Sequence, residues 1–252
     1  MSTVRIPVLT YHAIEAAATP IAVSPDRFAA TMRAMRAAGW RTAGDSEVLN
    51  GLAGGRWPER TFVLHFDDGF ASVATHAAPV LAECGFTATI FVVADWVGRD
   101  NGWPSQPAGV PRWPLLDWDA LRALRDAGHR FGAHTASHPH LPALSSAEQA
   151  IELDRCAARI QQEIGVGPGA FAYPYGDADR ASRAAVSTRY QLAYGTTLDF
   201  VVPSSDRWEL PRIDAWYLAP QRAARLDDAA VSRWLAGRRV LRRLRRAVTR
   251  LG

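Results

Sequence analysis

The stretch TFVLHFDDGF, Thr61 to Phe70, joins a short apolar run to two adjacent aspartates and a glycine. A run of that length, rich in aromatic and β-branched residues, reads as a buried strand, and the glycine marks the turn that ends it. Two carboxylates side by side at a strand end repel each other and push a carboxyl pKa upward. Taken alone, Asp67-Asp68-Gly69 is a capped turn. With suitable partners it is half of a cation site.

Outward from this stretch the same grammar repeats. RIPVLTYH (5–12) reads as a strand, followed by a helix over 24–39 with Ser24 as N-cap, Pro25 in the first turn and Gly39 at its end. Downstream, the strand TATIFVV (87–93) follows a helix over 72–83. A helix over 118–127, a strand over 129–133 and a long helix over 146–164 come next. The strand and turn GAFAYPYG (169–176), a helix near 179–187, the strand YQLAYGT (190–196) and the strand end ELPRIDAW (209–216) complete the series. Repeated strand–helix units predict an α/β fold with a parallel sheet, and their number favours a barrel over two domains, with a doubly wound open sheet as the alternative. The Trp-, Pro- and Gly-rich segment 96–114 is long for a plain connection and is expected to face substrate.

Composition sets the outer bounds. Of the 252 residues 48% are hydrophobic and 21% charged, an ordinary globular balance. All 29 basic residues are arginine, and seven of them fall between Arg238 and Arg250, so the net charge of +4 says little about the body of the chain. The N-terminus enters a strand directly, without a charged leader or cleavage site, which predicts a cytoplasmic protein. No apolar run approaches the ~18 residues of a spanning helix. Cys84 and Cys156 fall in helical segments and are expected as buried, reduced thiols.

Polar residues gather where the predicted strands finish: Tyr11-His12, Asp67-Asp68, His134, Tyr173-Pro174-Tyr175 and Arg212. In parallel βα folds active sites form on that face. His134 and His138, in AHTASHPHL, lie on a strand end that Pro139 turns back on itself. Alone they read as solvated loop histidines. Together with one carboxylate they match the usual catalytic zinc set, two imidazoles and a carboxylate with a position left open for water. One aspartate then ligates and its neighbour takes a proton from the attacking water.

These segments resemble the NodB-type polysaccharide deacetylases, carbohydrate esterase family four. The resemblance rests on HFDDG (65–69), HTASH (134–138) and AYPYG (172–176), in the family's order, and extends from about Val8 to Trp216. YHAI (11–14) with the helix behind it is similar to the branch of poly-N-acetylglucosamine deacetylases. The resemblance implies a single-domain distorted (β/α) barrel of NodB type and metal-dependent removal of an N- or O-acetyl group from a sugar, glycan or biosynthetic intermediate. By position it implies Asp67 as catalytic base and Asp68, His134 and His138 as metal ligands. Tyr175 is implied as the backbone donor to the oxyanion, with Tyr173 and Pro174 at the substrate.

Zn2+ is the default ion, with Co2+, Ni2+ or Fe2+ compatible. Ala172 stands where most members carry an arginine that orients the base, so Arg212 is expected to supply that cation from another strand end. No histidine follows His140, so the late Leu-x-His acid is missing; His12 takes its place as general acid, with Asp214 orienting it. The rival readings are an allantoinase- or cyclic-imidase-like amidase on the same fold and a catalytically inactive glycan-binding protein.

Blander readings attach to the remaining candidates. His65 is expected as a packed, hydrogen-bonded strand residue, and His76 and His129 as surface residues. His140 is placed either at the cleft or in solvent. Trp96, Trp103, Trp113 and above all Trp216 are candidates to stack on sugar. The chain divides into a barrel over 1–225 and a basic amphipathic helix over 226–252, whose stripe Trp234, Leu241, Leu244, Val248 and Leu251 packs on the barrel or lies on an anionic membrane surface. Nothing in the chain reads as a nucleic-acid motif.

Overall fold

A parallel strand buried on both faces must satisfy two apolar layers at once, and side-chain alternation decides which residue serves which layer. The protein, described by a computed structural model over residues 2–249, with backbone alone for 2 and 242–249, follows that rule in most strands at the centre of its sheet. Its strands are β1 (Ser2–Thr3), β2 (Val8–Tyr11), β3 (Arg41–Ala43), β4 (Trp57–Pro58), β5 (Thr61–Phe66), β6 (Thr89–Val92), β7 (Arg130–Ala133), β8 (Ala170–Ala172), β9 (Leu192–Tyr194) and β10 (Ile213–Asp214). The α-helices are α1 (Pro25–Ala37), α2 (Asp45–Gly54), α3 (Ala78–Cys84), α4 (Trp118–Asp126), α5 (Ser146–Ile164), α6 (Arg180–Ser187), α7 (Pro220–Ala223) and α8 (Ala229–Thr249).

β1 and β4 form a small antiparallel ribbon. The main sheet has eight strands, hydrogen-bonded in the order β10-β2-β5-β6-β7-β8-β9, with every pairing parallel. β3 pairs with Thr61–Val63, the first half of β5, on the side where β6 takes the second half. The sheet curls into a distorted barrel. Its seam is one short stretch: Leu210 bonds to Ala193 and Gly195 beside β9, and Ile213 pairs with Leu9 of β2.

Phe62, Leu64 and Phe66 of β5, with Ile90 and Val92 of β6, pack outward against the helices, in one large cluster that includes Phe28, Met32, Leu81, Leu153 and Ile160. Val8, Val63, Phe91, Ala170, Leu192 and Tyr194 point the other way and fill the barrel. Gly132 of β7 has no side chain because one would not fit: a Cβ there would meet the Phe91 ring at 2.3 Å.

Most of the expected elements are present. Ser24 caps α1 by accepting from Arg27 N–H, Pro25 opens the helix, and Gly39 follows it at φ 80°. The segment read as one helix from 72 to 83 is π-helical over Val73–Ala77 before α3 begins. β3 and α2 were not anticipated. Cys84 and Cys156 are buried and free. No helix among the described residues is long and apolar enough to cross a membrane. In α8, Val231 and Leu235 are buried in the outer core, Trp234 packs against it, and Leu241 is exposed. The side chains of Leu244 and Val248 in the expected stripe are not described, and Arg250 and Leu251 lie outside the described residues.

Candidate active site

Alternation also builds the site. In β2, Val8 and Thr10 face the barrel interior, and one further step in phase brings His12 to the same side. In β5, Val63 and His65 face inward, and Asp67 continues that row, its N–H bonded to Tyr11 O at 2.9 Å. In β7 the inward position is Gly132 and the next is His134, whose N–H bonds to Val92 O at 3.0 Å. The strands therefore deliver these side chains to the C-terminal mouth of the barrel.

The residues just past the strand ends are held in an unusual backbone. Asp68, Thr135, His138 and Tyr175 have φ of 70°, 66°, 63° and 59°, the left-handed region that non-glycine residues rarely occupy. Gly69 continues the turn at φ 73°. Two successive left-handed residues swing the chain so that the Asp68 carboxylate enters the mouth beside Asp67 rather than pointing away from it. The loop after β7 is tied down from α5: Glu152 accepts from Ser137 N–H and Oγ–H, both at 2.8 Å.

Three donor atoms converge. Asp68 Oδ1 lies 3.4 Å from His134 Nε2 and 3.3 Å from His138 Nε2, and the two imidazole nitrogens are 3.3 Å apart. All three residues are buried. His134 Nδ1 sits 2.7 Å from Ala172 O, so it carries the proton and leaves Nε2 as a lone pair aimed at the other two atoms. Asp68 Oδ1 is buried and accepts no hydrogen bond. A tetrahedral ion with bonds of about 2.0–2.1 Å has ligand atoms about 3.3–3.4 Å apart. The triangle has that edge, and the residues fit a divalent cation.

The neighbouring carboxylate has a different partner. Arg212 grips Asp67 with both terminal nitrogens, each at 2.8 Å, and its Nε donates to Gly195 O at 2.9 Å. Both side chains are buried. Burial raises the Asp67 carboxyl, but the Arg212 guanidinium, followed by the nearby His134 and His12, outweighs it and holds the pKa at about 2. Ala172, where the resemblance implies arginine, is a small inward-facing residue in β8, and the cation arrives from the seam instead. His12 Nε2 lies 3.8 Å from Asp67 Oδ2, with its side chain 27% exposed.

Residues 54–193 match the profile of the family described as Polysaccharide deacetylase, more than half of the chain. The chain belongs to the polysaccharide deacetylase family. It is 31% identical over 146 residues to chitin deacetylase 2 of Cryptococcus neoformans, covering 58% of this chain and 27% of that protein. To the poly-β-1,6-N-acetyl-D-glucosamine N-deacetylase of Staphylococcus aureus it is 24% identical over 170 residues, 63% of this chain and 56% of the relative. The chain therefore spans little more than half, or less, of these relatives' lengths. Its fold matches the Streptococcus pyogenes deacetylase PplD, solved with acetate, with a TM-score of 0.75 at 23% identity, over 88% of this chain and 96% of that one.

Within this deacetylase-family site some expectations need correction. Tyr173 does not reach the mouth: it is 1% exposed, packed on Phe171, and its hydroxyl donates to Trp208 O at 2.9 Å. It faces the helix layer because β8 alternation turns it outward. Pro174 is buried at the start of the Pro174–Gly176 turn, which it shapes. Trp216 is 38% exposed on the turn after β10 and is available at the rim. Trp103 is not a free sugar platform; it is buried against His138 at a ring separation of 4.2 Å. His129 is buried rather than on the surface, accepting from Ala88 N–H. His140 lies at the cleft, its ring stacked on Tyr175 at 4.1 Å and its Nδ1 2.6 Å from Asp177. Asp214 accepts from Trp216 N–H and so caps the turn that carries Trp216.

Asp45 was missed entirely. From the first residue of α2 it reaches into the barrel floor, where its carboxylate meets His65 Nε2 at 3.2 Å, Tyr194 Oη at 2.6 Å and Thr89 Oγ1 at 2.7 Å. The only signal in the sequence was His65 itself, a polar ring in an apolar strand that had to find a partner.

Proposed function

We propose that this protein is a metal-dependent hydrolase that removes an acetyl group from an amino sugar within a glycan or glycan precursor. The observation that carries the reading is the unlike treatment of two adjacent aspartates: Asp68 faces two imidazoles, while Asp67 is locked on Arg212 beside them. The names of its relatives, deacetylases of chitin and of poly-N-acetylglucosamine, support the substrate class.

Asp68, His134 and His138 are the residues that would hold the ion, with zinc as the default. A divalent cation bound there polarises a carbonyl oxygen and brings the pKa of water toward neutrality. The chain's own residues do the rest. Asp67 accepts a proton from the attacking water; Arg212 keeps it ionised and fixes its plane. As the water oxygen bonds to the acyl carbon and the C–N bond breaks, the nitrogen must gain a proton. His12, 3.8 Å from Asp67 and open to solvent on one side, is placed to deliver it. The Tyr175 N–H, on a backbone fixed at φ 59°, is the donor for the developing oxyanion. Acetate and a free amine leave.

The test is acetate release from N-acetylglucosamine oligomers by zinc-loaded protein. Wild type releases acetate and Asp67→Asn does not. A wild type that binds one zinc per chain yet releases no acetate from amide- or ester-linked acetyl sugars would overturn the reading.

A further inference from the structure

The two imidazoles of the triangle are not held alike. His134 has the arrangement usual for a metal-ligating histidine, its second ring nitrogen donating to a backbone carbonyl, Ala172 O at 2.7 Å. His138 has none. Its Nδ1 is buried and has no hydrogen-bond partner among the described residues. The backbone beneath it does not explain why the ring stays aimed at Asp68, since His138 sits at φ 63°, where a side chain is gained at some cost in strain.

The ring is instead gripped from two sides. Trp103 lies against it with centroids 4.2 Å apart and planes tilted by 33°, and Tyr175 meets it edge-on at 4.6 Å. The two gripping residues are joined to each other and to the loop between Trp96 and Pro114. Trp103 Nε1–H donates to Tyr175 Oη at 3.1 Å, and Tyr175 Oη–H donates to Ser105 O at 2.9 Å. Ser105 Oγ–H donates to the His138 carbonyl at 2.5 Å. The circuit closes on the residue it surrounds. Trp103 is 2% exposed and is backed in turn by Trp96, edge-on at 6.1 Å.

We propose that Trp103 is a positioning residue for the cation site: its indole, clasped to Tyr175 and Ser105, orients His138 in place of the missing hydrogen bond and so sets the affinity and geometry of the bound ion. This rests on the metal reading of the triangle. An imidazole fixed by stacking keeps its aim only while a flat ring lies against it. A flexible aliphatic chain of similar bulk fills the volume but lets the ring rock, and a displaced ligand of this kind weakens metal binding by about 10–100-fold. The loop that carries Trp103 is thereby part of the cation site rather than a cover laid over it.

The experiment uses the full chain and compares wild type, Trp103→Leu and Trp103→Phe. Zn2+ affinity is measured by competition with a chromophoric chelator, and the visible d–d spectrum of the Co2+-loaded protein is recorded. We expect Trp103→Leu to bind Zn2+ about 10–100-fold more weakly and to show a weaker, shifted cobalt band, whereas Trp103→Phe, which keeps a flat aromatic ring but gives up the Nε1 donor and part of the indole's area, stays within a few-fold of wild type. Trp103→Leu binding as tightly as wild type with an unchanged cobalt spectrum would overturn the proposal, and so would Trp103→Phe falling as far as Leu. Should the Leu variant fail to fold, ring-proton shifts of His138 in zinc-loaded wild type decide: upfield displacement by the indole supports the clasp, and unshifted resonances overturn it. A wild type that binds no Zn2+ removes the metal reading itself, an outcome distinct from the others.

Discussion

Asp67 and Asp68 share a peptide bond and almost nothing else. One is paired bidentately with a buried guanidinium and the other faces the Nε2 atoms of two imidazoles. Substitutions at the two positions are therefore expected to separate binding from turnover. Asp67→Asn keeps the volume, removes the proposed base and leaves the triangle intact, so zinc stoichiometry should be unchanged while acetate release falls by about 10²–10⁴-fold, measured by dialysis against zinc and by acetate assay. His12→Gln should likewise keep the zinc and lower kcat. Arg212→Met strands Asp67 as an unpaired buried carboxylate. Breaking a buried pair in this way costs about 3–5 kcal/mol, so urea unfolding of that variant should show a large loss of stability together with the loss of activity. Stability unchanged in Arg212→Met would mean that the pair does not hold the seam.

At the scale of the element, strand parity explains which polar residues meet. Once β2, β5 and β7 are recognised as parallel strands with one row of side chains turned into the barrel, His12, Asp67 and His134 fall on the inner row, and the motifs already marked the strand ends. That much was legible in the sequence. The Arg212–Asp67 pair was legible for the same reason, as a cation at a strand end with no other task. Tyr173 was misplaced because its motif outweighed its parity: next to inward-facing Ala172 it had to face outward. The roles of Trp103 and Ser105 were not legible, since they depend on how a long irregular loop folds back, and no periodicity governs that. Asp45 was hidden because nothing in the sequence of α2 ties its first residue to the barrel interior.

Asp45 now gives an element-level prediction. Although burial raises its carboxyl, His65, Tyr194 and Thr89 together hold it below the ordinary carboxylate range. A carboxyl lowered in the folded state contributes stability above its unfolded pKa of ~4 and loses that contribution as pH falls through the folded value. The stability advantage of wild type over Asp45→Asn, read from urea midpoints, should be largest at neutral pH and shrink as pH is lowered from about 5 toward about 3. An advantage that grows on acidification would contradict the assignment.

For the whole molecule, the seam and the site are one structure. Residues 210–214 close the barrel between β9 and β2 and, in the same stretch, present Arg212 to Asp67. An ion held by Asp68, His134 and His138 joins the ends of β5 and β7, two elements that β6 separates in the sheet. Binding to the folded state alone should raise the melting temperature in a concentration-dependent way, by about 4 kcal/mol of added stability at a thousandfold excess over Kd. Calorimetry with and without a chelator measures this, and Asp68→Asn should abolish the shift. A chelator-insensitive melting temperature in wild type would argue against a resident ion.

The most direct measurement is an anomalous difference map at the zinc edge from crystals grown with Zn2+. One peak is expected, bonded to Asp68 Oδ1, His134 Nε2 and His138 Nε2, with Asp67 still paired to Arg212 and not ligating. No peak between those three atoms, or a peak that draws Asp67 away from Arg212 into its coordination sphere, would contradict it.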